Sequence, residues 1–241
     1  MRTLVVGDIH SGLRGLQQAL QKVKPVADDH FIFLGDYVDG WSEAVETVSF
    51  LILFSETHDC TFIRGNHDYL AYRHLKHGSK NQQWLTHGGT ATKESYAPLS
   101  SEEKEKHILF YESLTNYHID QQNRLFVHAG FTNLKGPQHE HFEDLVFWDR
   151  TLWEMAKSLD QTIPKDSIRY PERLKLFSEI YIGHSALTKL GVTTPANYGN
   201  LWNIDTGAAF TGPLTILDVD TKEFWQSEPV FQLYPEEKGR N

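Results

Sequence analysis

Short apolar runs recur along the chain, and each ends in a polar cluster. Leu4–Val6 runs into Gly7-Asp8, and Phe31–Leu34 runs into Gly35-Asp36. Phe62–Ile63 leads to Gly65-Asn66-His67-Asp68, Leu125–Val127 to His128-Ala129-Gly130, and Tyr181-Ile182 to Gly183-His184. A short apolar run stopped by a glycine-bearing turn reads as a buried strand. Between the first three runs, Leu13, Leu16, Leu20 and Val23 recur at helical spacing, as do Ala44, Val45, Val48, Leu51 and Ile52. Strand–helix–strand alternation predicts βαβ units in a mainly parallel sheet. Ligands of such sheets bind beyond the carboxyl ends of the strands, which brings all five polar clusters to one edge.

The pattern changes near the end. Leu201–Ile204, Leu214–Val219 and Phe224–Gln226 read as short strands with little helix between them, and Asp220-Thr221-Lys222 reads as a hairpin turn. These strands are expected to be antiparallel and to form or complete a second sheet. Residues 78–123 read as a polar, helical cap over the site, and 139–173 as mixed. No repeat or linker interrupts 1–241, which reads as one domain.

Composition narrows the function. The net charge is −9, from 23 basic and 32 acidic residues. An acidic surface lacks the basic stripe that nucleic acid or anionic lipid requires, so neither is expected as a partner. A lone cysteine, Cys60, excludes an internal disulfide; within the run Cys60–Ile63 it reads as a buried strand-edge thiol. No apolar run approaches the ~20 residues of a spanning helix. The chain enters a strand at Leu4 with no signal peptide before it, so a cytoplasmic location is expected. Pro235-Glu236-Glu237 reads as a solvated end.

The chemistry sits at the predicted strand ends, which carry Asp8, His10, Asp36, Asp39, Asn66, His67, His128 and His184. Carboxylate and amide oxygens with imidazole nitrogens suit borderline divalent metals: manganese first, with iron, zinc or cobalt as alternatives. A two-metal site needs a bridging carboxylate, and Asp36 is placed for it. Asp8 and His10 then complete one ion's set, and Asn66, His128 and His184 the other's. Two divalent ions would outweigh Asp8, Asp36 and a hydroxide, leaving a net positive pocket inside an acidic protein, which suits a phosphate dianion.

Gly7-Asp8-Ile9-His10, Gly35-Asp36-Tyr37-Val38-Asp39, Gly65-Asn66-His67-Asp68, His128-Ala129-Gly130 and Gly183-His184 together resemble the motifs of the metallophosphoesterase superfamily. The Val38-Asp39 ending and the His128-Ala129-Gly130 motif are most similar to the PPP-type, calcineurin-like serine/threonine phosphoprotein phosphatases and their bacterial relatives. The resemblance runs from Leu4 to about Asp218. It implies a four-layer αββα sandwich, two mixed sheets between helical layers. It also implies Asp8, His10 and Asp36 on one metal and Asp36, Asn66, His128 and His184 on the other. His67 matches the family's general acid and Asp39 the carboxylate that orients it. Trp148-Asp149-Arg150 looks like the segment that supplies a phosphate-gripping arginine, here Arg150. The implied reaction is direct attack by a metal-bridging hydroxide on a phosphomonoester, so the expected partner is a phosphorylated protein or a small phosphoester.

Two positions depart from the family pattern. Ser11 stands where glycine is usual. Gly40 stands where many members carry a second phosphate-binding arginine, with Arg14 or Lys93 as candidate substitutes. Trp41 and Trp84 are candidates to stack on a leaving group. Trp84–Gly89 and Ile204–Ala208 resemble segments found in bacterial members, and the second is shared by phosphoprotein phosphatases and symmetrical diadenosine tetraphosphatases. A nucleotide phosphoanhydride hydrolase is therefore the alternative activity, and a non-catalytic scaffold on the same fold a remote one.

Overall fold

The computed structural model describes residues 2–240. Its first half alternates strands and helices: β1 (Thr3–Val6), α1 (Leu13–Val23), β2 (His30–Phe33), α2 (Ala44–Ser55), β3 (Asp59–Phe62) and α3 (Asn66–His77). Two short helical pieces follow, α4 (Gln82–Trp84) and α5 (Thr90–Tyr96), with a wide turn at Leu85–Gly89 between them, and then the longer α6 (Ser101–Ser113). Then come β4 (Tyr117–Ile119), β5 (Arg124–Val127), α7 (Thr151–Lys157), α8 (Glu172–Lys175) and β6 (Glu179–Ile182). The chain closes with β7 (Ala196–Tyr198), β8 (Leu201–Asn203), β9 (Pro213–Asp218), β10 (Phe224–Pro229) and α9 (Val230–Leu233).

The strands form two five-stranded sheets, ordered β10-β9-β1-β2-β3 and β4-β5-β6-β8-β7. Within the first, β1, β2 and β3 are parallel and β9 and β10 antiparallel; within the second, β5, β6 and β8 are parallel. Both sheets are mixed, and helices cover their outer faces, as in an αββα sandwich.

The strands explain the layering. Successive side chains of a strand point to opposite faces, so a strand covered on both sides is apolar throughout. Leu4, Val6, Phe31 and Phe33 pack under helices with Leu16, Leu20 and Val48, whereas Val5, Ile32 and Leu34 point the other way. From the second sheet, Phe126 and Tyr181 meet them between the sheets, stacked with centroids 5.0 Å apart. Leu125, Val127, Ile180 and Ile182 face Leu152, Trp153 and Leu174 of α7 and α8. Each fully buried side chain of this kind contributes roughly 1.5–3 kcal/mol. On α1, Leu16, Ala19, Leu20 and Val23 are the buried stripe that the helical spacing predicts.

Three expectations change. β9 and β10 do not build the second sheet: they pair antiparallel on the free edge of β1 and extend the first. All six residues of β9 are buried because both its faces are covered: Leu214 and Ile216 pack with α1, and Leu217 lies between the sheets. The second sheet takes β8 instead, parallel to β6. Within 78–123 the helices end at Ser113, and β4 pairs with β5 as an edge of the second sheet. Cys60 lies on the edge strand β3 and is half-buried; burial pushes its thiol up to about 12. No helix among the described residues is long and apolar enough to cross a membrane.

Candidate active site

The polar clusters after β1, β2, β3, β5 and β6 meet at one end of the two sheets. Tight turns turn the side chains there, and several adopt left-handed backbone: His10, Ser11, Asp36, Asp39 and His184 have φ of 53°, 63°, 53°, 70° and 65°. Such conformations cost free energy in non-glycine residues and cluster where function dictates geometry. Two glycines allow close approach. A Cβ on Gly65 would stand 2.2 Å from Asp36 Oδ1, and one on Gly183 would stand 2.0 Å from Asp8 Oδ1. Any side chain at either position would expel a carboxylate.

Asp36 lies at the centre. Its Oδ2 is 3.5 Å from His10 Nε2 and 3.4 Å from His128 Nε2. Two groups could each hold a metal ion, Asp8–His10–Asp36 and Asp36–His128–His184, with ligand atoms in each group all within 4.8 Å. Asp36 belongs to both. Asn66 joins the second group, its Oδ1 being 2.9 Å from His184 Nδ1 and 3.2 Å from His128 Nε2. The structure thus brings together all six residues read from the sequence as ligands.

Hydrogen bonds orient the imidazoles. His10 Nδ1 lies 2.8 Å from the Asp39 carbonyl oxygen and His128 Nδ1 2.8 Å from that of Leu34. A carbonyl only accepts, so Nδ1–H donates in both rings and Nε2 faces the site. The backbone N–H of His67, in the first turn of α3, donates to Asp36 Oδ1 at 3.0 Å, and that of His184 to Asp8 Oδ2 at 3.0 Å.

Electrostatics favour a cation here. Burial is the main cause that pushes the Asp8 carboxyl up to about 7; Asp36 adds to it and His128 opposes it. Asp205 rises to about 7 by burial, with Asp8 adding to it. Burial drives His10 down to about 4 and holds His184 well below the usual histidine range. At His128 burial is outweighed by Asp36, and the ring rises to about 9. Asp8 Oδ1 and His184 Nε2 are buried without a hydrogen-bond partner. An orphaned carboxylate oxygen, beside buried acids and imidazoles, fits divalent cations.

Beside this cluster stands an ordered pair. His67 Nδ1 lies 2.6 Å from Asp39 Oδ2. Asp39 accepts two further bonds, from Trp84 Nε1 to Oδ2 at 2.5 Å and from Thr92 Oγ1 to Oδ1 at 2.6 Å. Trp84 and Thr92 were not read as positioning groups from the sequence. Trp84 is 2% exposed and Trp41 is fully buried, its ring stacked on Tyr234, so neither is open for stacking on a leaving group. Asp68 was also missed: it accepts the N–H groups of Asp36, Tyr37 and Gly65 at 2.7, 2.8 and 2.8 Å and ties two ligand turns together. Its position at the third residue of a strand-end helix, the capping place for an acid, was the available signal.

A cleft of about 550 Å³ opens over the cluster. Asn81, Gln83, His87, Trp148, Arg150, Lys189, Phe210 and Arg240 are among the residues that line it. Arg150 reaches the cleft from the residue before α7, whose N-terminus Asp149 caps by accepting from Thr151 and Leu152 N–H. Arg14 and Lys93 do not line it. Arg14 is bound to Glu43 and the Leu233 carbonyl. The acidic end is not simply solvated, since Glu237 accepts from Ser42 N–H and Oγ–H at 2.9 and 2.7 Å.

Comparison with known proteins sets this geometry in a family. The sequence model for the calcineurin-like phosphoesterases matches residues 1–205. The asymmetrical bis(5'-nucleosyl)-tetraphosphatase PrpE of Bacillus thuringiensis is 29% identical over 236 residues, covering 90% of each chain. Its namesake from Geobacillus thermodenitrificans is 26% identical over 230 residues, covering 88% of each. A solved serine/threonine phosphatase from Saccharomyces cerevisiae superposes with a TM-score of 0.59 at 15% identity, over 95% of this chain and 80% of that one, a likeness of fold.

Proposed function

Because the chain belongs to the calcineurin-like phosphoesterase family, a family of metal-dependent hydrolases, we propose that it hydrolyses phosphoanhydride bonds of nucleotides, with dinucleoside polyphosphates as the leading substrate class. The observation that carries this reading is the cleft. One phosphate group needs far less than about 550 Å³, and three cations, Arg150, Lys189 and Arg240, line the space together with Trp148, a ring 41% exposed. Several cations beside an open aromatic face suit a chain of phosphates ending in a base. The relatives named above act, by their names, on bis(5'-nucleosyl) tetraphosphates, asymmetrically rather than with the symmetrical cleavage weighed from the sequence.

In this reading Asp8, His10 and Asp36 hold one divalent ion and Asp36, Asn66, His128 and His184 the other, with manganese the first choice for reconstitution. When bound, the ions supply Lewis acidity and an activated water. Arg150 grips a phosphate oxygen in the equatorial plane. His67 protonates the departing oxygen, and Asp39 holds its ring by the Nδ1–H bond, itself held by Trp84 and Thr92.

The same His67–Asp39 pair favours a second reading, hydrolysis of phosphomonoesters on a phosphorylated protein. Serine and threonine alkoxides are poor leaving groups and need an acid, whereas a nucleotide phosphate leaves with little help.

The test is turnover of diadenosine tetraphosphate beside a mixed phosphopeptide set at matched concentration, with manganese-reconstituted protein. The dinucleotide is expected to exceed every peptide in kcat/KM by at least about a hundredfold, the worth of a few extra charge-assisted contacts. A monophosphate and a triphosphate product would match the asymmetrical relatives. Peptides turning over faster would transfer the site to the second reading.

A further inference from the structure

We propose that Arg240 is a phosphate-gripping residue of this site, carried in by the segment that follows α9; this rests on the phosphoester-hydrolysis reading above. The segment is held at four points. Tyr234 stacks on Trp41 with centroids 5.1 Å apart, and its hydroxyl bonds Glu43. Glu237 is bonded to Ser42, as described. Gly239 lies flat on Trp41, where a Cβ would come within 2.7 Å of the indole. Arg240 N–H then donates to the Ala209 carbonyl at 2.9 Å.

The side chain beyond that anchor runs between two glycines. A Cβ on Gly88 would stand 3.2 Å from Arg240 Cγ, and one on Gly40 would stand 3.5 Å from it. The place after Asp39 that holds no side chain is therefore filled by an arginine 200 residues later in the chain. Its Nη1 lies 3.3 Å from His10 Nε2, and its guanidinium carbon 5.4 Å from the centroid of Phe210. Its Nε is buried without a hydrogen-bond partner.

An unpartnered guanidinium donor, beside the lone pair offered to a metal ion, calls for an anion. Guanidinium forks match the tetrahedral oxygens of a phosphate group, and with Arg150 and Lys189 in the same cleft Arg240 gives the phosphate a further cationic contact. The unusual feature is delivery: the grip depends on the docking of a segment distant in sequence rather than on the loop that carries Asp39.

Calorimetric titration of the metal-reconstituted full chain with inorganic orthophosphate tests this, with bound metal assayed in each variant. Arg240→Ala should weaken orthophosphate by about 10- to 100-fold, the loss of one or two charge-assisted bonds, and raise KM more than it lowers kcat, with metal content unchanged. Arg240→Lys should recover part of the loss, since it restores the charge without the fork. Gly239→Val should match Arg240→Ala although the guanidinium is intact, because its φ of 57° and its contact with Trp41 exclude a branched side chain. Unchanged orthophosphate affinity in Arg240→Ala would overturn the proposal. Tighter binding or faster turnover would do so too, since it would make Arg240 a plug. A wild-type protein that holds metal but neither binds orthophosphate nor hydrolyses any phosphate compound would instead contradict the phosphoester reading itself.

Discussion

Asp36→Asn lowers turnover at least about a thousandfold, and to the same extent on diadenosine tetraphosphate, phosphopeptides and p-nitrophenyl phosphate. The reason is its central place. Asp36 Oδ2 lies 3.4–3.5 Å from the Nε2 atoms of two histidines in different ligand groups, so one carboxylate serves both. Asparagine preserves shape but removes the charge, and its amide hydrogens can meet the imidazole lone pairs in place of a cation. A metal supplies several kcal/mol of transition-state stabilisation, and each 1.36 kcal/mol is tenfold in rate. The loss does not depend on the leaving group, because ions held by these residues would supply their Lewis acidity to the phosphoryl oxygens and the attacking water, which all three substrates share. Steady-state assays on the three substrates, with circular dichroism to establish the fold, measure it. Retained activity on any one would remove Asp36 from the bridging position.

His67→Asn behaves differently, and its effect is graded. Asparagine can still donate to Asp39 Oδ2, which lies 2.6 Å from His67 Nδ1, but it has no proton to give at the far side of the ring. General acids contribute about 10²–10⁴-fold where the leaving group is a poor one. The loss should lie in that range for phosphoserine peptides and stay within about tenfold for p-nitrophenyl phosphate and the dinucleotide, whose leaving oxygens are weakly basic. Equal losses on all three would withdraw the acid role and leave His67 as a structural partner of Asp39.

The centre of the site was legible because its residues follow strands directly. An apolar run, a glycine turn and a short polar cluster are local events, and five of them in one chain converge once the sheet is parallel. The first sheet's βαβ half was readable for the same reason. Contacts across long stretches of chain were not. Trp84 reaches Asp39 from 45 residues away and Arg240 reaches His10 from 230, and no periodicity announces either. Trp41 and Trp84 read as open aromatic faces because composition does not reveal burial. β9 was assigned to the wrong sheet because antiparallel strands near the end of a chain can add to either free edge. Its six successive buried residues reflect cover on both faces, which either sheet provides, so burial alone does not choose the sheet. Gly40 shows the limit most clearly: a missing side chain was visible, while the arginine that fills its place could not be found from spacing alone.

The central claim is a pair of divalent ions sharing Asp36, and titration of the chelator-stripped protein with manganese tests it most directly. At pH 8 the account predicts two ions per chain, bound with release of protons. His128, at about 9, must give up its proton, and Asp8, at about 7, sheds the last of its own. Both values lie above those of the unfolded chain, so the metal-free fold holds these protons more tightly, and affinity should weaken as the pH falls through 7. A saturating stoichiometry of one ion or none, or an affinity indifferent to pH between 6 and 8, would contradict it.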